Sequence, residues 1–248
     1  MATLTADDKR AIAQAEKLAV KTEKVFIDVT SRLLRDLDFS KELDADTLAR
    51  INEFALLLDE SVYDEIFEDF IELYGDRAEE IQSRISKAGR GDLVYSGADL
   101  DTMEAIINTD FEKVTNAIAK MGTTVRQEVI RGVLLGSSGQ IDTEQITGGL
   151  SGAITEDAGK LKRNVETEIR TGEMAFNRTV SNTQALKLGF TEFQYVGPAD
   201  GKMRDFCAEH IGRVYTFEQI NGLDNGQGLD VFEFGGGYNC RHVWSPVK

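Results

Sequence analysis

DGKMRDFCAEHIGRVYTFEQI (Asp200–Ile220), NGLDNGQGLDVFEFGGG (Asn221–Gly237) and YNCRH (Tyr238–His242) make up the stretch on which the fold turns. A helical period that has run for most of the chain stops shortly before it, at Gly189, and short β-prone runs separated by glycine turns take over. The same stretch holds both cysteines and both histidines of the 248 residues: Cys207, His210, Cys240 and His242. Four scarce residues gathered in one segment point to a site.

Their spacing suits convergence. Cys207-x2-His210 is the step by which a tight turn or first helical turn aims two side chains at one point, and thiolate with imidazole suits zinc. Cys240-x-His242 has the period of a strand, whose alternate side chains share a face. A hairpin returning Cys240 beside Cys207 would assemble a structural zinc site with two thiolates and two imidazoles, from Cys207, His210, Cys240 and His242. The spacing departs from the usual finger pattern, in which the histidines lie three to five residues apart. Two other readings stay open: the cysteines as small buried hydrophobes with the histidines on hydrogen bonds, or the cysteines paired in a disulfide.

Upstream, the only two prolines, Pro198 and Pro246, leave nearly two hundred residues free to form long helices. Apolar residues recur every three to four positions from Asp7 to about Leu37, including Leu18, Phe26, Val29 and Leu33. After the interruption at Phe39-Ser40-Lys41, Asp46 is expected to cap a second helix with Ile51, Phe54, Leu58, Val62, Ile66 and Phe70 on its stripe. The opposite face carries Asp59, Glu60, Asp64, Glu65, Glu68, Asp69 and Glu72, read as a solvated acidic face. Tyr63, Phe67, Phe70 and Tyr74 are read as packing against a neighbouring helix or protomer. Gly75 is expected to end this helix, with a shorter one over Asp76–Ala88. The glycines of GRGDLVYSG (Gly89–Gly97) mark a boundary, and the Arg90-Gly91-Asp92 triplet inside it is read as chance. A third helix starts at Asp99 or Asp101 and runs to about Leu135. Asp142 opens a short small-residue helix, and a longer one covers Lys160–Leu188. The β-prone runs FTEFQYV, RVYTF and VFEF then build a small cap. The fold class is therefore mainly α, with long amphipathic helices followed by a small α+β C-terminal module, divided as residues 1–90, 91–190 and 191–248.

With 28 Lys and Arg against 43 Asp and Glu, the net charge of −15 argues against a surface that wraps nucleic acid or reads its sequence. MATLTADDKR carries charge where a secretory signal needs an apolar core, and no apolar run approaches the roughly 20 residues of a membrane span. The expectation is a chain made in a cytoplasm with no membrane partner. Gly136-Ser137-Ser138-Gly139 lacks the register of a nucleophile elbow, and Gly152–Lys160 lacks phosphate-loop spacing. Asp224, Asn225 and Asp230 lack the register and closing Glu of a calcium loop. A zinc deaminase would need a Pro-Cys-x-x-Cys partner that is not there. The chain is read as a non-enzyme.

Asp200-x3-Arg204-x2-Cys207-x4-Gly212-Arg213-Val214-Tyr215, closing on Asn239-Cys240-Arg241-His242, resembles the C-terminal module of the phage Mu F-like head morphogenesis proteins, also called minor head proteins. EIRTGEMAFNRTVSNTQALKLGF (Glu168–Phe190) is similar to that family's helix entering the module. Met203 stands where Thr is usual, and His242 replaces the last Cys. The resemblance covers about residues 165–248. It implies a virion protein acting in head assembly, associated with the portal or with other head and tail proteins, for which a homo-oligomeric ring such as a head-to-tail connector is the expected form. A metal-binding or toxin-like enzyme domain sharing the module is the alternative from another class.

Overall fold

Four long helices occupy most of the chain: α1 (Ala6–Asp36), α2 (Ala45–Lys87), α3 (Gly97–Ser137) and α4 (Thr143–Lys187). They are followed by β1 (Glu192–Val196), α5 (Asp205–His210), β2 (Val214–Thr216), α6 (Phe217–Asn221), α7 (Val231–Phe234) and β3 (Val243–Pro246). The computed structural model describes residues 6–87, 93–139 and 141–247. The Arg90-Gly91-Asp92 triplet and part of the expected glycine boundary lie outside the described residues. Mainly α with a small antiparallel sheet at the C-terminus, the architecture has the expected class. No helix among the described residues is long and apolar enough to cross a membrane.

The helix starts follow side-chain caps. Asp44 accepts the Thr47 N–H at 2.7 Å, so α2 is capped two residues before the expected Asp46, which sits in the first turn instead. Ser96 and Asp99 form a reciprocal pair: the Ser96 N–H donates to Asp99 Oδ2 at 2.9 Å and the Asp99 N–H to Ser96 Oγ at 3.3 Å, which starts α3 at Gly97. Asp142 accepts the Glu144 N–H at 3.2 Å and opens α4, as its sequence implies.

Two expected breaks do not occur. α2 runs through Gly75, and α4 runs as one helix through Gly148, Gly149 and Gly152. A glycine inside a helix costs only about 1 kcal/mol relative to alanine. Buried side chains on either side outweigh that: Leu73, Tyr74, Arg77 and Ile81 around Gly75, and Ile146, Leu150 and Ile154 around the others. VFEF is also helix rather than strand. Asp230 accepts the Glu233 N–H at 2.8 Å and Gly235 ends the turn at φ 56°, closing α7. The third strand is instead VWSP, whose Pro246 is tolerated because β3 lies at the sheet edge.

Contacts divide the chain into two units that cut across the sequence boundaries near residues 90 and 190. One unit comprises Glu16–Phe70 and Phe111–Glu166, one stretch from each long helix. Lys21 Nζ lies 2.7 Å from Asp69 Oδ2, joining α1 to α2, and the Phe67 and Phe70 rings meet Phe111 of α3 edge-on at 5.0 and 5.2 Å. Lys162 of α4 reaches Glu23 of α1 at 3.2 Å. Phe39, in the loop after α1, is buried, and its carbonyl oxygen would lie 2.1 Å from a Cβ at Gly136, so α3 can pass only with glycine there. Of the expected acidic face, Glu60, Asp64, Glu65, Glu68 and Glu72 are exposed, whereas Asp69 is half-buried against Lys21.

The other unit comprises α1 up to Ala15, Ile71–Asp110 and Thr167–Lys248. Here α4 is buried at every position from Thr171 to Arg178 although most of those residues are polar or glycine. Their partners are specific. Glu173 binds Arg77, Asn177 Oδ1 accepts from Arg84 at 2.9 Å, and Tyr74, fully buried, donates to Asp110 at 3.0 Å while meeting Phe176 edge-on at 5.1 Å. Farther along, Gln184 and Lys187 both bind Asp99. Beyond α4 the sheet has order β2-β1-β3, antiparallel throughout, with Tyr195 opposite Trp244 and Phe193 opposite Tyr215. The alternating β1 residues Phe193 and Tyr195 point into a core with Ala185, Ile220, Val231, Trp244, Cys207 and Cys240.

Candidate metal centre

The module's topology brings the cysteines together through the sheet rather than through one hairpin. α5 carries Cys207 between β1 and β2, and the loop into β3 carries Cys240, so central β1 sets both against its inner face. Cys240 and His242 are buried while Arg241 between them is half-buried. The expected alternation therefore holds, one residue ahead of β3.

Cys207, Cys240 and His242 are 3%, 4% and 2% exposed, and one donor atom from each lies within 4.8 Å of the others. This group can hold a metal ion. The two sulfurs are free thiols 3.7 Å apart, and His242 Nδ1 is 3.9 Å from Cys240 Sγ. His242 Nε2 is buried and has no hydrogen-bond partner. Such an orphaned nitrogen costs roughly 1–3 kcal/mol unless something else engages the ring.

His210, expected as the fourth ligand, is not in this group. Its Nδ1 is hydrogen-bonded to Tyr215 Oη at 2.6 Å, and its ring packs on Phe206 with centroids 4.3 Å apart. The Tyr215 bond turns the imidazole toward β2 from the last residue of α5, and burial pulls its pKa down. Of the expected set of two cysteines and two histidines, the structure brings together two cysteines and one histidine.

Three groups that sequence reasoning did not single out surround the sulfurs. Tyr195 Oη lies 3.5 Å from Cys207 Sγ and 3.3 Å from Cys240 Sγ, with its ring nearly parallel to that of His242. The Gly236 N–H donates to Cys240 Sγ at 3.2 Å, and a Cβ at Gly236 would stand 2.5 Å from Cys207 Sγ, so only glycine brings its backbone this close. Arg178, 2% exposed, donates through Nε to the His242 carbonyl at 2.7 Å, through Nη1 to that of Glu233 at 3.0 Å, and through Nη2 to that of Cys240. The carbonyls of Cys240 and His242 are thus held by one side chain of α4. Arg178 left no signal in the sequence beyond standing in the helix that enters the module.

The sulfur pair shares its charge unevenly. A hydrogen bond from Cys207 and the Arg178 guanidinium hold the Cys240 thiol far below its ordinary range in spite of burial. Its hydrogen bond to Cys240, burial and the charge on Cys240 push the Cys207 thiol up. Tyr195 is raised by burial first and by the two sulfurs next.

The rim is tied down as well. Arg241 donates to both Asp200 carboxylate oxygens at 2.7 and 2.6 Å, and that fork lowers Asp200 to a pKa of about 2. Arg204 donates to the Gly236 carbonyl at 3.1 Å. The Asn239 N–H reaches Thr171 Oγ1 at 3.0 Å from a left-handed backbone at φ 56°. Asp224, Asn225 and Asp230 turn their side chains onto their own loop's backbone. No protein-family model, no curated protein and no solved structure matches the chain.

Proposed function

We propose that this chain is a non-enzymatic assembly subunit of the minor head protein type, a virion component docking on the portal or on neighbouring head and tail proteins. In this reading, zinc held by Cys207, Cys240 and His242 pins its C-terminal module. One observation carries the proposal: residues that bear the resemblance pair with one another across up to 41 positions. Asp200 forks with Arg241, Arg204 holds the Gly236 carbonyl, and Cys207 faces Cys240 beside His242. A motif scattered by chance has no reason to close on itself.

Zinc fits the donor set. Two soft thiolates and one imidazole form a borderline-soft set, and bonds of about 2.3 Å at tetrahedral angles place two sulfurs about 3.8 Å apart. The 3.7 Å observed needs almost no movement. The role is structural: the site lies inside a hydrophobic cluster, and a bound ion would tie α5 to the loop before β3.

Two measurements test the proposal. Electron microscopy of intact particles of the virus that encodes the chain should place it at the portal vertex, and particles that assemble normally and lack the chain would overturn the assembly reading. Metal analysis of the purified protein should give one zinc per chain, and Cys240→Ser should abolish it and lower stability by several kcal/mol. A metal-free wild type as stable as Cys240→Ser would leave the cysteines as plain core.

A further inference from the structure

We infer that the Tyr195 phenol oxygen is the fourth donor of the centre, completing a ligand set of two thiolates, one imidazole and one phenolate; this rests on the zinc reading above. Among the described residues, no other Cys, His, Asp or Glu joins the group formed by Cys207, Cys240 and His242. A structural site nonetheless fills four positions. An oxygen donor within hydrogen-bond reach of both sulfurs is already in place on β1.

The distances decide it. A tetrahedral zinc with Zn–S about 2.3 Å and Zn–O about 2.0 Å sets a sulfur and an oxygen ligand about 3.5 Å apart. Tyr195 Oη stands 3.5 and 3.3 Å from the two sulfurs, which are themselves 3.7 Å apart. Three edges of the tetrahedron are thus present within a few tenths of an ångström.

Charge points the same way. Arg178 is a buried cation whose three hydrogen bonds all go to backbone carbonyls and none to a carboxylate. Zinc with two thiolates is neutral and would leave that cation uncompensated in a low-dielectric site. A phenolate as fourth ligand brings the sum of zinc, ligands and Arg178 to zero. As the Zn–O bond forms, the phenolic proton leaves to solvent with the proton that the thiol pair retains.

Zinc titration followed by ultraviolet difference spectroscopy tests this on the full chain. Wild type should develop a phenolate band that saturates at one zinc per chain, and Tyr195→Phe should bind zinc about 10–100-fold more weakly with no such band. A tyrosine that merely donates hydrogen bonds to the sulfurs would also weaken binding, so the band is the discriminating readout. Zinc binding by wild type without the band overturns the inference and leaves the zinc reading standing. Failure of wild type to bind zinc removes both. Because the band is read on wild type, the result does not depend on the variant folding, and a cobalt(II) spectrum of wild type provides a second count of ligands.

Discussion

Asp200 and Arg241 meet as a fork across 41 residues, and the pair carries a pH signature. Asp200 is lowered to about 2 by the Arg241 hydrogen bonds, whereas in the unfolded chain it titrates near 4. A depressed folded pKa means that the stabilisation is complete above about 4 and is lost as pH falls from there toward 2. Thermal midpoints of wild type and Asp200→Asn should therefore differ by a constant amount at neutral pH and converge between about pH 4 and 2. A gap that persists at pH 2 would show that Asp200 acts through something other than its charge. At this scale the sequence showed the candidate ligands through scarcity alone: two cysteines and two histidines in one segment. It could not show that His210 prefers a phenol partner, because Tyr215 lies on another element. Nor could it show Tyr195, which reads as an ordinary inward residue of a strand.

Among the long helices, α4 reaches the candidate centre through Arg178. Arg178 on that helix binds three carbonyls, one at the end of α7 and two in the loop that follows, belonging to Cys240 and His242. Arg178→Met should cost about 3–5 kcal/mol in urea unfolding, since it strands buried carbonyls and withdraws the charge that favours the Cys240 thiolate. Arg178→Lys should recover only part of this, because a single ammonium cannot span the same fork. A loss below about 1 kcal/mol for Arg178→Met would mean that the loop holds its shape unaided. The periodicity of apolar residues made the long helices legible, and Asp142 announced the start of α4. The buried run Thr171–Arg178 was not legible, because Glu173, Asn177 and Arg178 look like a solvent face until their partners on other elements are known. VFEF misled for a similar reason: its aromatic composition favours a strand, and one capping carboxylate from Asp230 settles it as a helical turn.

For the whole molecule, composition was informative about class and silent about partition. A near absence of proline predicted long helices, yet the two units each draw on all four of them, a pattern no linear boundary can express. The division is a property of contacts between residues distant in sequence. One further consequence concerns the burial of the only two sulfhydryls. Because Cys207 and Cys240 are 3% and 4% exposed, an alkylating reagent reaches them only when the C-terminal module opens. Labelling at moderate reagent concentration should therefore track the equilibrium population of the open form, and zinc should slow it in proportion to the ion's occupancy. The chain carries its own stopwatch for breathing, readable by mass spectrometry without any added probe.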